Sequence, residues 1–254
     1  MPRPKGDGLA AARQLYNQGR YDEAIAAATA ARQEPAWAAS ATVVLARAHL
    51  ERYRQRAQTA DLDDARALLN GLRETELPPL EHREWVIGLG EALYFDDQFS
   101  AAADVFDLAL GHIESLDPEA RDRLFEWWAG ALGQQAERGS ESERRSTYAR
   151  IVTRAEDVLR RDDRSAAASY WLAAAARGAN DLDRAWGAAL AGWVRAPLTG
   201  PHASRLRADL DRFVTLVLIP ERARQLTGPG DQRPAAALLL QQWEELKLRY
   251  GSAD

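Results

Sequence analysis

The sequence lacks cysteine altogether, although it is 254 residues long. Disulfide bridges and thiolate zinc sites both need cysteine, so a disulfide framework and a Cys-ligated metal are excluded. Long apolar runs are also missing, because the longest mostly apolar stretches, such as residues 213–219, are far shorter than the ~20 residues that a membrane-spanning helix needs. The sequence therefore predicts no membrane span.

An excess of positive charge is missing as well, because 33 Lys and Arg residues stand against 38 Asp and Glu residues. Non-specific affinity for nucleic acids comes from a concentrated basic face, and a net charge of −5 argues against such a face. We therefore predict no nucleic-acid partner. The most basic segment contains Arg47, Arg52, Arg54 and Arg56, and we interpret it as a solvated helix end rather than a contact for an acidic partner.

Runs of alternating β-branched and polar residues, the pattern of half-buried strands, are almost absent. Ala, Leu, Arg, Glu and Gln recur at helical spacing instead. With 46% apolar residues the chain can bury a sizeable core. The sequence therefore predicts an all-α fold.

A short pattern recurs along the chain, in which a turn is followed by the start of a second helix with an alanine near its first turn. The alanines expected where the two helices cross are Ala24, Ala65, Ala102 and Ala185. The first three are about one period apart and the fourth lies about two periods further on. We therefore predict another unit in the gap.

This pattern resembles the tetratricopeptide repeat family, which has a small residue in the first helix of each pair, a large residue before the second helix, and proline at the repeat end. The small residues are Ala12, Ala46, Gly90, Ala131 and Ala173; the large ones are Tyr21, Leu62, Phe99 and Leu182; the prolines are Pro35, Pro78, Pro118 and Pro197. A small residue lets two helices approach closely. The resemblance implies an α-solenoid of about five helical hairpins over residues 8–197.

The repeat units are irregular, because the family period of about 34 residues requires insertions here. They fall at residues 55–59, at 111–115, and in a polar loop at 137–146. The fourth unit also has Ile151 in place of the crossing alanine.

The two ends of the chain depart from the repeat pattern. Residues 1–7 are predicted to be a disordered tail, and residues 198–254 are predicted to form C-terminal capping helices. Stacked repeats expose an apolar face at their end, which a cap covers. An alternative is that the last helix forms a dimer face through Leu238, Leu239, Trp243, Leu246 and Tyr250.

Motifs for catalysis or metal binding are missing. The four histidines stand alone without an HExxH arrangement, and no phosphate-binding glycine loop or nucleophile elbow is present. Paired carboxylates occur at Asp63-Asp64, Asp96-Asp97 and Asp162-Asp163. All three lie at predicted turns, where helix capping or solvation is the simpler interpretation. We predict no enzyme activity, no metal and no cofactor; an enzyme with Glu91 as acid or base is the weakest alternative.

The predicted binding site is the concave wall of the solenoid. Threading the first helices onto the family pattern places Arg13, Tyr16, Asn17, Arg47, Glu91, Tyr94, Trp128, Gln135, Tyr170 and Arg177 there. Tyr, Trp and Arg contribute most of the binding energy in protein interfaces. Core packing explains most tryptophans, and it explains Trp128 and Trp193 least well.

The resemblance implies a non-catalytic scaffold whose groove binds a peptide or a segment of a partner protein. A chaperone carboxylate clamp is not expected, because Leu9 and Arg13 stand where such domains carry Lys and Asn. The alternative is a regulator that senses a ligand or peptide and dimerises through its C-terminal helices. With no targeting segment recognised, the default location is the cytoplasm, although a processed envelope protein would show the same pattern.

Overall fold

The structure, a computed structural model, describes residues 7–111 and 117–251. These ranges contain helices and no strand, which confirms the predicted all-α fold. The chain divides into two compact units, Met1–Ile113 and Glu114–Asp254, which we describe separately. The predicted tail lies outside the described residues except for Asp7, where the first helix begins.

Unit 1 consists, in its described part, of helices joined by short turns: α1 (Asp7–Asn17), α2 (Tyr21–Ala31), α3 (Ala38–Arg56), α4 (Thr59–Asn70), α5 (Pro79–Phe95) and α6 (Phe99–Leu110). Consecutive helices pack as the pairs α1–α2, α3–α4 and α5–α6. The first helix of each pair also contacts the next one, α1 with α3 and α3 with α5. α3 is the central helix, since every residue from Ser40 to Glu51 is buried.

Unit 2 contains α7 (Pro118–Arg138), α8 (Glu141–Arg161), α9 (Ala166–Gly178), α10 (Leu182–Arg195), α11 (Ala203–Phe213), α12 (Ile219–Thr227) and α13 (Arg233–Tyr250). The pairs are α7–α8, α9–α10 and α12–α13, and α7 contacts α9. A 3₁₀ segment, Ala196–His202, leads into α11. A π turn, Val214–Leu218, precedes Pro220, whose missing N–H interrupts the regular α-helical hydrogen bonding.

The small positions predicted in both units are buried in the helix pairs. Those with no exposed surface are Ala12, Ala24, Ala46, Ala65, Ala102, Ala131, Ala173 and Ala185. Gly90 plays the same part in α5, because a Cβ there would lie 2.5 Å from the Phe106 ring. Close approach of paired helices therefore explains this recurring pattern.

The polar stretch at residues 137–146, predicted as a loop, is almost entirely helical. α7 continues to Arg138 and α8 begins at Glu141, so only two residues lie between the helices. Ser140 caps α8, since its hydroxyl accepts from the Glu143 N–H and the Glu143 carboxylate accepts from the Ser140 N–H. The polar residues that suggest a loop are thus a helix N-terminus with a capping box.

The predicted turn at Asp63-Asp64 is also helical. α4 already begins at Thr59, and Gln58 rather than an aspartate is its N-cap. Ala57 adopts a left-handed conformation with φ of 53°, which reverses the chain between α3 and α4. The other two carboxylate pairs follow the ends of α5 and α8, as expected.

The last helix packs on its own unit through a buried tryptophan. Trp243 is fully buried, and its ring lies 5.2 Å from that of Trp193 and 6.5 Å from that of Trp186, both on α10. Its Nε1 donates to Oδ1 of Asp211 on α11 at 2.8 Å. α13 thereby covers the apolar side of α10 and α11.

The alternative prediction of a dimer face on α13 is wrong for two of its five residues. Leu239 and Trp243 are 5% and 0% exposed within a single chain, because they fill the core of unit 2. Leu238 and Tyr250 point away from that core and are 57% and 42% exposed, while Leu246 is half-buried.

Candidate functional site

The centre of unit 1 is a buried arginine, Arg47 of α3, whose side chain is 5% exposed. Its Nη1 donates to Oε2 of Glu84 at 2.5 Å, and its Nη2 donates to Oε1 of Glu91 at 3.1 Å. Both carboxylates belong to α5. Nη2 also donates to the hydroxyl of Tyr16 on α1 at 3.2 Å. One guanidinium therefore links the first helices of all three pairs.

A glycine makes room for this arginine. A Cβ at Gly88 would lie 3.0 Å from Cδ of Arg47, so the missing side chain lets Arg47 lie across α5. Glu84, Gly88 and Glu91 share one face of α5 because they are spaced four and three residues apart. The acids thus flank the position where the guanidinium crosses the helix.

The charges of this cluster are mutually dependent. Burial opposes the positive charge of Arg47, but Glu91 and the neighbouring acidic groups outweigh it and raise the pKa of Arg47. Burial also raises the pKa of Tyr16, so its hydroxyl stays protonated in the physiological range. Because burying a charge costs several kcal/mol (about 3–5 when a partner is lost), each member needs the others.

A second ion pair extends the cluster towards solvent. Arg13 of α1 bonds directly to Glu81 of α5, with side chains that are 40% and 9% exposed. Glu84 is 41% exposed although it binds Arg47. We call the surface formed by Arg13, Tyr16, Arg47, Glu81, Glu84 and Glu91 the charged face. Solvent reaches it mainly at Arg13 and Glu84.

Four of the predicted site residues in unit 1 meet at this face, but two of them are not accessible to a partner. Arg47 and Glu91 are 4% and 2% exposed, because they lie where α3 packs against α1 and α5. The expectation that they contact a partner directly is therefore wrong, and they hold the face together instead. Glu81 and Glu84 were not among the predicted residues, although they lie on the same side of α5 as Glu91.

The other two predicted residues of unit 1, Tyr94 and Asn17, have different surroundings. Tyr94 is half-buried, and its ring packs against those of Phe95 and Phe99, the latter with centroids 5.1 Å apart. Burial and Asp97 raise its pKa. Asn17 is exposed at the end of α1.

In unit 2, the prediction for Trp128 is wrong, since this residue is only 1% exposed. Its ring packs against Phe125 with centroids 5.6 Å apart, and the guanidinium of Arg150 lies 5.5 Å from it. The neighbouring Trp127 is half-buried. Successive residues of an α-helix are rotated by about 100° around its axis. Aligning the repeat pattern one residue out of place on α7 therefore assigns a core residue to the concave wall. Trp193 is buried as well, at 8% exposure.

The remaining predicted residues of unit 2 are half-buried. Tyr170 packs against Phe213 of α11 with ring centroids 6.1 Å apart, and burial raises its pKa. Nε of Arg177 donates to Oε2 of Glu221 on α12 at 2.8 Å, so it joins α9 to α12. Gln135 lies near the end of α7. Arg177 thus has a structural role, and Tyr170 and Gln135 are partly accessible.

Within the described residues, no group of three or more His, Asp or Glu side chains is arranged to hold a metal ion. Nor does any helix in these ranges combine the length and apolar character required to cross a membrane. A scan against models of known protein families found no match, and a search of curated proteins found no relative. The resemblance to tetratricopeptide repeats therefore stays a prediction.

Proposed function

We propose that this chain is a tetratricopeptide-like helical-repeat protein that binds a segment of another protein and catalyses no reaction itself. The observation that carries the proposal is the charged face, where one buried guanidinium holds α1, α3 and α5 together. Arg13 and Glu84 remain partly exposed there. Side chains that are already ordered lose little entropy when a partner binds, which favours such a surface for recognition.

The packing of the helices supports the repeat part of the proposal. Consecutive helices pair, first helices contact first helices within unit 1, and the crossing alanines are fully buried. These features are the ones that a stack of helical hairpins requires. We therefore propose the solenoid of about five hairpins, with α11 to α13 as its C-terminal cap.

Unit 2 offers a second surface of the same kind. Glu126 of α7 and Arg205 of α11 are 55% and 72% exposed at their side chains and lie 3.5 Å apart. The charge of Glu126 also acts on Tyr170 of α9. Polar side chains of α7, α9 and α11 thus come together near a half-buried tyrosine, a residue type common in binding surfaces.

The proposal is tested by capturing partners with the tagged full chain from its native lysate, followed by mass spectrometry. The test variant is Glu84→Gln, which alters the most accessible carboxylate of the charged face and keeps the Arg13–Glu81 and Arg47–Glu91 pairs. The control is Glu141→Gln, which removes an exposed carboxylate of α8 that is paired with Arg145 and makes the same change in charge. Circular dichroism verifies that both variants remain helical.

We expect a stoichiometric protein partner with the wild type and the control, and its loss with the test variant. A parallel variant, Tyr170→Ala, examines the surface of unit 2. If neither surface variant changes the set of captured proteins, the proposed binding site is wrong. If light scattering shows a stable homodimer and no other protein is captured, the scaffold proposal is contradicted in favour of self-association.

A further inference from the structure

The charged face of unit 1 contains more negative than positive side chains. Three carboxylates, of Glu81, Glu84 and Glu91, stand against the two guanidiniums of Arg13 and Arg47. The excess is nearest to solvent at Glu84, which is 41% exposed. An approaching cationic side chain is therefore favoured here over an anionic one.

Arg13 shows which chemistry this face accepts. It brings a guanidinium from α1 onto the carboxylate of Glu81, which is only 9% exposed, while 40% of the Arg13 side chain stays in solvent. Because the Glu81 carboxylate is buried, it needs a cationic partner, whereas the Arg13 side chain is partly in solvent and can return to water. A guanidinium or ammonium group from another molecule can therefore take the place of Arg13 at Glu81.

Large apolar side chains lie at the same end of these helices. α3 and α5 run parallel, because Arg47 lies beside Gly88 and, further along both helices, Tyr53 lies beside Phe95 with ring centroids 5.1 Å apart. Trp37 precedes Arg47 by the same number of residues as Pro78 precedes Gly88, about ten residues or 15 Å along each helix. Trp37 is therefore level with Pro78, at the start of α5.

Two of the side chains at this end are accessible. Trp37 is 38% exposed and Leu80, the residue before Glu81, is 49% exposed. Partly exposed tryptophan is the residue type most enriched among those that dominate binding energies. Trp37 and Leu80 are thus accessible at the N-terminal ends of α3 and α5, and the same end of α5 carries Glu81 and Glu84.

From this combination we infer that the charged face binds a partner segment in which an arginine or lysine stands beside a large apolar residue. The cationic group would lie on Glu84 and Glu81, and the apolar side chain on Trp37 and Leu80. The inference rests on the proposed function and specifies its partner in unit 1.

The test is fluorescence anisotropy with the full-length protein and three labelled peptides. The first alternates Arg with Leu in a Gly-Ser background, the second has Glu in place of Arg, and the third has Ala in place of Leu. Each variant of the face is paired with one elsewhere that changes charge or apolar surface equally: Glu84→Gln with Glu141→Gln, Trp37→Ala with Leu108→Ala, and Arg13→Ala with Arg145→Ala. Leu108 is 69% exposed on α6.

We expect the Arg-Leu peptide to bind more tightly than the other two. Glu84→Gln and Trp37→Ala should each weaken its binding about tenfold, the effect of losing one charge-assisted hydrogen bond or one anchor. Arg13→Ala should strengthen binding several-fold because it removes the internal competitor. The paired control variants should leave binding within about twofold of the wild type, since changes away from an interface contribute little.

Equal binding of the Arg-Leu peptide by Glu84→Gln and by its control would overturn the inference. So would tighter binding of the Glu-Leu peptide at this face, although the proposed function would then stand. If none of the three peptides binds but capture of the partner still depends on Glu84, the inference is overturned and the proposed function stands. If that dependence is also absent, both proposals are wrong.

Discussion

The two units solve the same packing problem with different chemistry. In both, paired helices bury alanines that have no exposed surface. Unit 1 then fills its centre with a guanidinium bound by carboxylates, whereas unit 2 groups Trp186, Trp193 and Trp243. A charge network is stable only when every member is present, while an aromatic cluster depends on filled volume. The same pairing of helices is therefore compatible with a charged centre in unit 1 and an aromatic centre in unit 2.

The charge network of unit 1 should be sensitive to the loss of one member. Arg47→Ala leaves Glu91 buried without the guanidinium that it binds at 3.1 Å. We expect the free energy of unfolding to fall by about 3–5 kcal/mol. Urea unfolding followed by circular dichroism measures this, and hydrogen exchange should accelerate in α1, α3 and α5.

The matched control is Arg145→Ala, which removes an exposed arginine paired with Glu141 one turn away. It should change stability by less than about 0.5 kcal/mol. If Arg47→Ala were as mild as this control, the contrast between the two units would disappear.

The aromatic cluster should respond through lost volume. Trp243→Ala removes a fully buried ring and its hydrogen bond to Asp211. A loss of about 3–5 kcal/mol is expected, as for other large-to-small changes in cores. Faster hydrogen exchange should appear in α10, α11 and α13. Leu248→Ala on the same helix, at a position 78% exposed, should have almost no effect, and a large effect there would place the stabilising contacts of α13 on its other side.

Glycines in the two units should show opposite responses to a single methyl group. Gly90→Ala of α5 puts a Cβ 2.5 Å from the Phe106 ring, whereas a Cβ at Gly187 of α10 meets nothing within 4 Å. We expect Gly90→Ala to destabilise by about 1–3 kcal/mol through overpacking. Gly187→Ala should stabilise by about 0.5–1 kcal/mol, because alanine favours the helix. Thermal unfolding measures the stability of both variants. If both changes had the same sign, the prediction would be wrong.

The smallest effect concerns acid sensitivity. Burial opposes ionisation of Asp61 in unit 1, but hydrogen bonds from Arg52 and His49 outweigh it and hold its pKa below the ordinary value of 3.8. The unfolded chain therefore takes up this proton first as pH falls. The stabilisation is present above pH 3.8 and is lost as pH falls through the lower folded value.

In Asp61→Asn, the free energy of unfolding, measured with urea, should therefore fall less between about pH 6 and pH 3 than in the wild type. In unit 2, Asp211→Asn should act in the same direction, because Lys247 and Trp243 lower the pKa of Asp211 against the effect of burial. Asp104→Asn, at an exposed position of α6, serves as the control. An unchanged profile for Asp61→Asn would show that this network does not control acid unfolding.

Helix pairing could be predicted because its signals are local. Ala24 and Ala102 mark crossings through their spacing from nearby turns, and such spacing depends only on neighbouring residues. The capping box at Ser140 and Glu143 is equally local, yet its polar residues also fit a loop, and the prediction of a loop there is wrong. That error shows that the order of polar residues matters more than their number.

The helical fold class, the absence of cysteine chemistry and the positions of the small crossing residues follow from the sequence alone, since each depends on composition or short-range periodicity. Only the tertiary structure decided that Arg47 is buried and Trp128 lies in a core. Burial of Arg47 requires Tyr16 and Glu84, which are distant in sequence and meet it only when α1, α3 and α5 pack together. Whether a side chain is accessible depends on such distant neighbours, because a helix face is covered by whatever packs against it.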